Sequence, residues 1–131
     1  MAKYFYFTRH GQTVWNVENK ICGATDIALT DLGHQQAAEL GERILKEGIK
    51  IDEILYSPLM RAADTAKHIS EVTGIPAREE LRLKEQNFGK YESTPRNGEE
   101  FKRANKILCA VMKAVNLCYS FARESIIFLM I

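Results

Sequence analysis

The apolar positions of this chain fall into short runs separated by longer stretches of mixed character. Residues 3–8, with Tyr4-Phe5-Tyr6-Phe7 at their heart, alternate poorly and are mostly aromatic, which predicts a strand buried on both faces. From Arg9 to Leu29 the run breaks up around Gly11, Asn16, Asn19, Gly23 and Asp26, the composition of a long functional loop. Thr30 then offers a helix cap, with Asp31 favourable in the first turn beside the positive end of the helix dipole. Leu32, Ala37, Leu40, Ile44 and Leu45 follow as an approximate helical stripe that ends near Gly48. Ile49 to Tyr56 predicts a second strand, closed by Ser57-Pro58. Pro58 suits the first turn of a helix running to about Thr73, where Gly74 stops it. After Pro76, a short strand is expected near Ala77–Glu80. Strand, helix, strand, helix, strand is the pattern of a parallel sheet with helices on its faces, so the chain reads as one α/β domain.

Bulk properties narrow this picture. At 131 residues the chain is long enough for one compact core and too short for two. Lys and Arg number 18 against 17 for Asp and Glu. No global basic field therefore points to nucleic acid or a membrane surface, and any anion site must be local. Met1-Ala2-Lys3 leads directly into the first strand without the segments of a signal peptide. The longest apolar run, residues 126–131, is far below the roughly 20 residues that span a bilayer. Cys22, Cys109 and Cys118 are odd in number and lack zinc-like spacing, which reads as reduced thiols in a cytoplasmic protein.

The chemistry-bearing residues sit just after the strand-like runs. Thr8-Arg9-His10-Gly11 puts an arginine and a histidine at the C-terminal edge of the sheet, where α/β proteins bind ligands. A phosphomonoester carries about two negative charges near neutral pH. Its hydrolysis needs a nucleophile, cations for the oxygens and a proton for the leaving oxygen. His10, as a neutral imidazole, can be the nucleophile and form a phosphohistidine. Arg9 and Arg61 can grip phosphate oxygens through planar, multi-donor guanidinium groups, and Asn16 adds a neutral donor. Glu85 is placed to act as acid and then base, given a pKa raised by burial and a dianionic substrate. Glu79, Glu80 and Glu92 compete with it and read as solvated carboxylates. Arg61 has a bland alternative too, an i,i+3 surface pairing with Asp64 worth roughly a few tenths of a kcal/mol. His34 and His68 lie on predicted helices as solvent-facing or packing residues. The reaction needs no metal, no metal-ligand cluster is visible, and no cofactor is expected.

Taken in order, Arg9-His10-Gly11, Thr13, Asn16, Gly23, Ser57-Pro58 with Arg61, and Glu85 ahead of Phe88-Gly89 resemble the histidine phosphatase superfamily, also called phosphoglycerate mutase-like. The resemblance runs from about Lys3 to about Arg103. It implies a three-layer α/β/α fold with a mainly parallel sheet. It makes His10 the phosphorylated residue, Arg9, Arg61 and Asn16 phosphate ligands, and Glu85 the proton donor. It also places Thr13 and Gly23 where the family touches substrate or phosphate, and leaves Gln12, Trp15 and Cys22 as local filling. The implied activity is hydrolysis of a small phosphorylated metabolite. Mutase-type phosphoryl transfer is the alternative, less favoured because the stretch from Glu85 to Arg103 leaves little room for a cap. A non-catalytic phosphate-binding or inactive form is the other.

The resemblance breaks after that. The family's second site histidine, at the end of a late central strand, has no counterpart, since no histidine follows His68. The expectation is a C-terminally truncated domain without that strand, residues 125–131 being an accidental β-like tail. After about residue 105 the chain holds two of its three cysteines and two of its four methionines, with no proline or glycine. Codons for residues 111–131 can be chosen that, read one base out of register, encode Tyr-Glu-Ser-Gly-Glu-Ser and an amphipathic helix, as the family commonly has here. The expectation is a change of reading frame between roughly Ala104 and Ala110, with premature termination after Ile131.

Overall fold

A computed structural model describes residues 5–85, 87–99 and 127–130. The elements are β1 (Phe5–Thr8), a single turn α1 (Val14–Val17), α2 (Asp31–Lys46), β2 (Glu53–Tyr56), α3 (Met60–Thr73), β3 (Ala77–Glu79) and β4 (Ile127–Met130). The four strands form one sheet in the order β1-β4-β2-β3, with every pair parallel. The α/β class with a parallel sheet is therefore the observed one. The crossovers from β1 to β2 and from β2 to β3 step the same way across the sheet. Right-handed connections then put α2 and α3 on one face, and the two helices do pack on each other, with α3 seated on β2 and β3 and Ile44 of α2 in the same buried cluster as Ile54 of β2.

The core lies in that layer. Ile44 from α2, Ile54 from β2, and Ala66 and Ile69 from α3 form its buried centre, ringed by Leu40, Ile49, Ile51, Tyr56, Ile75 and Ala77. Burying a side chain such as Ile54 or Ile69 completely contributes about 1.5–3 kcal/mol. The stripe on α2 differs from the expected one, because Leu32 and Leu45 are exposed while Gly33, Ala37, Gly41 and Ile44 are buried. Close helix packing is the reason: a Cβ on Gly41 would stand 3.0 Å from the Val72 Cβ. Thr30 caps α2 as expected, its Oγ1 accepting from the Gly33 N–H at 3.1 Å. Helix α3 starts after Leu59, two residues later than Pro58 predicts, because Leu59 is extended with ψ 138°; the otherwise unpaired Met60 N–H donates to Asp26 Oδ1 at 2.7 Å. It ends at Gly74, whose φ of +75° is the left-handed cap that glycine adopts without a Cβ penalty.

Two expectations about the sheet are corrected. The first strand is not buried on both faces: Phe7 is 65% exposed and Tyr6 37%. Among the described residues β1 is the outer strand of the sheet, and α3 packs over β2 and β3 instead. The central strand is also not missing. Ile127–Met130 lies between β1 and β2, with Ile127 in register with both Phe5 and Glu53, and Met130 with both Thr8 and Tyr56. Backbone donors and acceptors that an empty slot would orphan are thereby paired on both sides. The rest of the atypical tail, and the segment where the reading frame is expected to change, lie outside the described residues. None of the described helices is long and apolar enough to cross a membrane.

Candidate active site

The loops leaving β1 and β2 meet at the C-terminal edge of the sheet. β1 ends at Thr8, and Arg9 and His10 follow at once. The next residue is locked from α3: the Gly11 N–H donates to Thr65 Oγ1 at 3.1 Å, and that hydroxyl donates to the Arg61 carbonyl at 2.7 Å. The N-terminus of α2 closes in from the other side. A Cβ on Gly11 would sit 2.3 Å from the Gly33 carbonyl oxygen, and one on Gly33 would sit 2.2 Å from the Gln12 oxygen. Two glycines are thus what lets the histidine loop approach α2.

His10 Nδ1 lies 2.7 Å from the Gly11 carbonyl oxygen. A carbonyl can only accept, so Nδ1 carries the proton and Nε2 keeps its lone pair. Burial holds the imidazole below its ordinary pKa. The Gly11 carbonyl opposes that shift, and the charges of Arg61, Arg9 and Arg96 reinforce it. The neutral ring is therefore the favoured form at neutral pH.

Arg61 is 2% exposed, and its guanidinium points into the 23–25 loop. Nη1 donates to the Thr25 carbonyl at 3.0 Å and Nη2 to the Gly23 carbonyl at 2.8 Å. That removes the reading of Arg61 as a surface partner of Asp64. Gly23 takes part through its carbonyl, as a collar for the arginine. Arg9 is exposed at the mouth of the site, and its charge is felt at His10. Asn16 and Thr13 form a capping box on α1. Asn16 Oδ1 accepts from the Thr13 N–H at 2.9 Å and from its hydroxyl at 3.0 Å, and the Asn16 N–H donates back to Thr13 Oγ1 at 3.3 Å. The oxygen of the Asn16 amide is committed there, which orients its NH2 end as the donor. Thr13 is fully buried with its hydroxyl in the cap, so the expected substrate contact by that hydroxyl gives way to a role in aiming Asn16.

A third segment completes the site. Residues 93–96 run antiparallel to 19–21, through Ser93 N–H to Ile21 O (2.9 Å), Ile21 N–H to Thr94 O (2.9 Å) and Arg96 N–H to Asn19 O (3.1 Å). Arg96 is anchored by Nε to the Lys20 carbonyl at 3.0 Å, and its charge reaches both His10 and Cys22. Glu85 is half-buried on the same side, and its charge also reaches Cys22. The Cys22 thiol is pushed up chiefly by burial, with Arg61 pulling it down and Glu92 and Glu85 adding to the rise. Glu92 is not a solvated carboxylate, since it accepts from the N–H groups of Ala24, Thr25 and Phe88. Glu80 is not one either. Arg82 grips it with Nε at 2.8 Å and Nη2 at 2.7 Å, which lowers its pKa to about 2. His34 and His68 face each other across α2 and α3, Nδ1 to Nε2 at 2.8 Å, as packing residues rather than site residues. Among the described residues, no three His, Cys, Asp or Glu side chains come together as metal ligands.

Sequence reasoning missed Thr65, Glu92 and Arg96. The one available signal was Pro95-Arg96-Asn97-Gly98, a turn composition that could have marked a loop returning to the site. The assembled arrangement is a neutral imidazole under the fields of three arginines, with a carboxyl group on the neighbouring segment.

A family model described as Histidine phosphatase superfamily (branch 1) matches residues 5–109. A 2,3-bisphosphoglycerate-dependent phosphoglycerate mutase of Staphylococcus carnosus (strain TM300) is 42% identical over 84 residues, covering 62% of this chain and 37% of the relative. One of Brucella ovis is 37% identical over 92 residues, covering 68% and 45%. The chain thus spans less than half the length of these curated relatives. A phosphoserine phosphatase of Entamoeba histolytica, solved with 3-phosphoglyceric acid, aligns with a TM-score of 0.72 at 27% identity over 98% of this chain and 73% of that one. A mycobacterial glucosyl-3-phosphoglycerate phosphatase solved with VO3 aligns with a TM-score of 0.73 at 25% identity, over 98% and 75%.

Proposed function

Because the chain belongs to the histidine phosphatase superfamily, we propose that it hydrolyses a small phosphorylated metabolite through a phosphohistidine on His10. The observation that carries this reading is the His10 tautomer, with Nδ1–H held by the Gly11 carbonyl and Nε2 free among Arg61, Arg9 and Arg96. In the first step Nε2 attacks phosphorus, the N–P bond forms, and the bond from phosphorus to the leaving oxygen breaks. Glu85 donates its proton to that oxygen. In the second step the Glu85 carboxylate takes a proton from water, whose oxygen displaces Nε2 and releases inorganic phosphate. Arg61, Arg9 and Arg96 neutralise charge on the phosphoryl oxygens, and the Asn16 NH2 group donates a hydrogen bond to them. Removing one such group typically costs a factor of about 10²–10³ in rate.

Hydrolysis is favoured over phosphoryl transfer between positions of one substrate because residues 93–96 pair closely with 19–21, which leaves that stretch little room for a cap. The mutase reading is supported by the names of the curated relatives. Phosphate binding without turnover is a third outcome of the same test. An aryl phosphate assay on the full chain, with His10→Ala as control, separates these readings. Hydrolysis in the parent and none in the variant supports the proposal, and equal rates sink it. Conversion of 3-phosphoglycerate that depends on added 2,3-bisphosphoglycerate would select the mutase.

A further inference from the structure

We infer that Glu92 is a positioning residue that holds the Arg61 collar and the Glu85 segment in one register, an inference that rests on the phosphoryl-transfer reading above. Its carboxylate is saturated by donors from two separate stretches of chain. Oε1 accepts from the Ala24 N–H at 2.9 Å and from the Phe88 N–H at 3.1 Å. Oε2 accepts from the Thr25 N–H at 2.9 Å and also from the Thr25 hydroxyl. Ala24 and Thr25 belong to the loop whose Gly23 and Thr25 carbonyls receive the Arg61 guanidinium. Phe88 follows Glu85 by three residues.

The Gly23–Ala24 peptide unit makes the coupling specific. Its N–H points at the Glu92 carboxylate and its C=O points at Arg61 Nη2, so one amide dipole is clamped between an anion and a cation. Both bonds are charge-assisted, and each polarises the amide in the sense that strengthens the other. Removing the carboxylate releases that peptide to rotate, and the guanidinium loses the acceptor that sets its plane. The same loss removes the Glu92 acceptor from the Phe88 N–H, so the acid moves relative to the arginine. A misplacement of about 1 Å at such a site can cost about 100-fold in rate.

The test uses the full chain with Glu92→Ala and Glu92→Gln, which keeps the shape but turns a donor toward backbone N–H groups. Two readouts are followed beside the melting curve. The first is the nitrogen-15 NMR signals of the Arg61 guanidinium, with and without inorganic phosphate. They are expected sharp in the parent and broadened in both variants, with far-UV circular dichroism unchanged. The second is aryl phosphate hydrolysis, where KM is expected to rise with the loosened arginine and kcat to fall with the displaced acid. A folded Glu92→Ala with unchanged Arg61 signals overturns the inference. Should Glu92→Ala not fold, unchanged signals in Glu92→Gln do the same. A parent chain that neither hydrolyses the ester nor binds phosphate defeats the functional reading, while the Arg61 signals still decide what Glu92 does.

Discussion

A neutral imidazole attacks with one lone pair, and the hydrogen bond from His10 Nδ1–H to the Gly11 carbonyl leaves that pair on Nε2. Burial and the three arginine charges then oppose protonation. Since the folded pKa lies below the ordinary value of about 6.5, the unfolded chain binds more protons at this position as pH falls below that value. His10 therefore removes stability as pH drops from about 6.5 through its folded pKa, and the acid limb of any His10-dependent activity lies below the usual histidine range. A proton NMR titration of the His10 ring reads this directly, and Arg96→Ala should move its midpoint upward. Gly11 makes a second residue-scale prediction. A Cβ there would fall 2.3 Å from backbone oxygen, so Gly11→Ala should cost about 1–3 kcal/mol in a urea melt. These particulars also show what was legible. The meeting of His10 and Arg9 with Arg61 could be read because a strand end marks the first two and Ser57-Pro58 precedes the third. Glu92 and Arg96 could not, since their roles come from backbone contacts to residues about 70 positions earlier.

Among the elements, α3 organises the site. Its first turn supplies Arg61, its second supplies Thr65 to pin the histidine loop, and its apolar face seats on β2. Thr65→Val keeps the shape but leaves the buried Gly11 N–H without an acceptor, at an expected cost of about 1–3 kcal/mol measured by denaturation. Activity should fall with it, because His10 is one residue away. The sequence read α3 nearly correctly at its end, where Gly74 is a local signal. It misplaced the start, where Leu59 stays extended and Asp26, 34 residues earlier, takes the Met60 N–H. The same distinction explains α2. Thr30 was a readable cap, whereas the burial of Gly33 and Gly41 in place of Leu32 and Leu45 depends on how closely α3 and the histidine loop approach.

For the whole molecule the decisive element is β4, which separates the two strands that carry the site residues. Its position joins β1 to β2 and β3, so breaking it should unfold the domain rather than trim it. Phe128→Pro removes a ladder N–H from a central strand, and a lost cooperative thermal transition is the expected result. A variant melting like the parent would exclude residues 127–130 from that slot. The change of reading frame expected between Ala104 and Ala110 is tested on the nucleotide sequence across codons 100–131. A one-base shift that restores Gly-Glu-Ser is the expected finding, and a continuous frame overturns it.

Periodicity, caps and residue type are local properties, so the sequence alone determined the parallel α/β class, most helix ends, the family resemblance and which histidine and arginines stand at the C-terminal edge of the sheet. Tertiary structure decided the remainder: which tautomer His10 holds, which carbonyls collar Arg61, what Glu92 grips, and that residues 127–130 fill the centre of the sheet. Each of those depends on groups far apart in the chain coming within hydrogen-bonding distance or on a backbone turned by a few tens of degrees, and no local pattern encodes either.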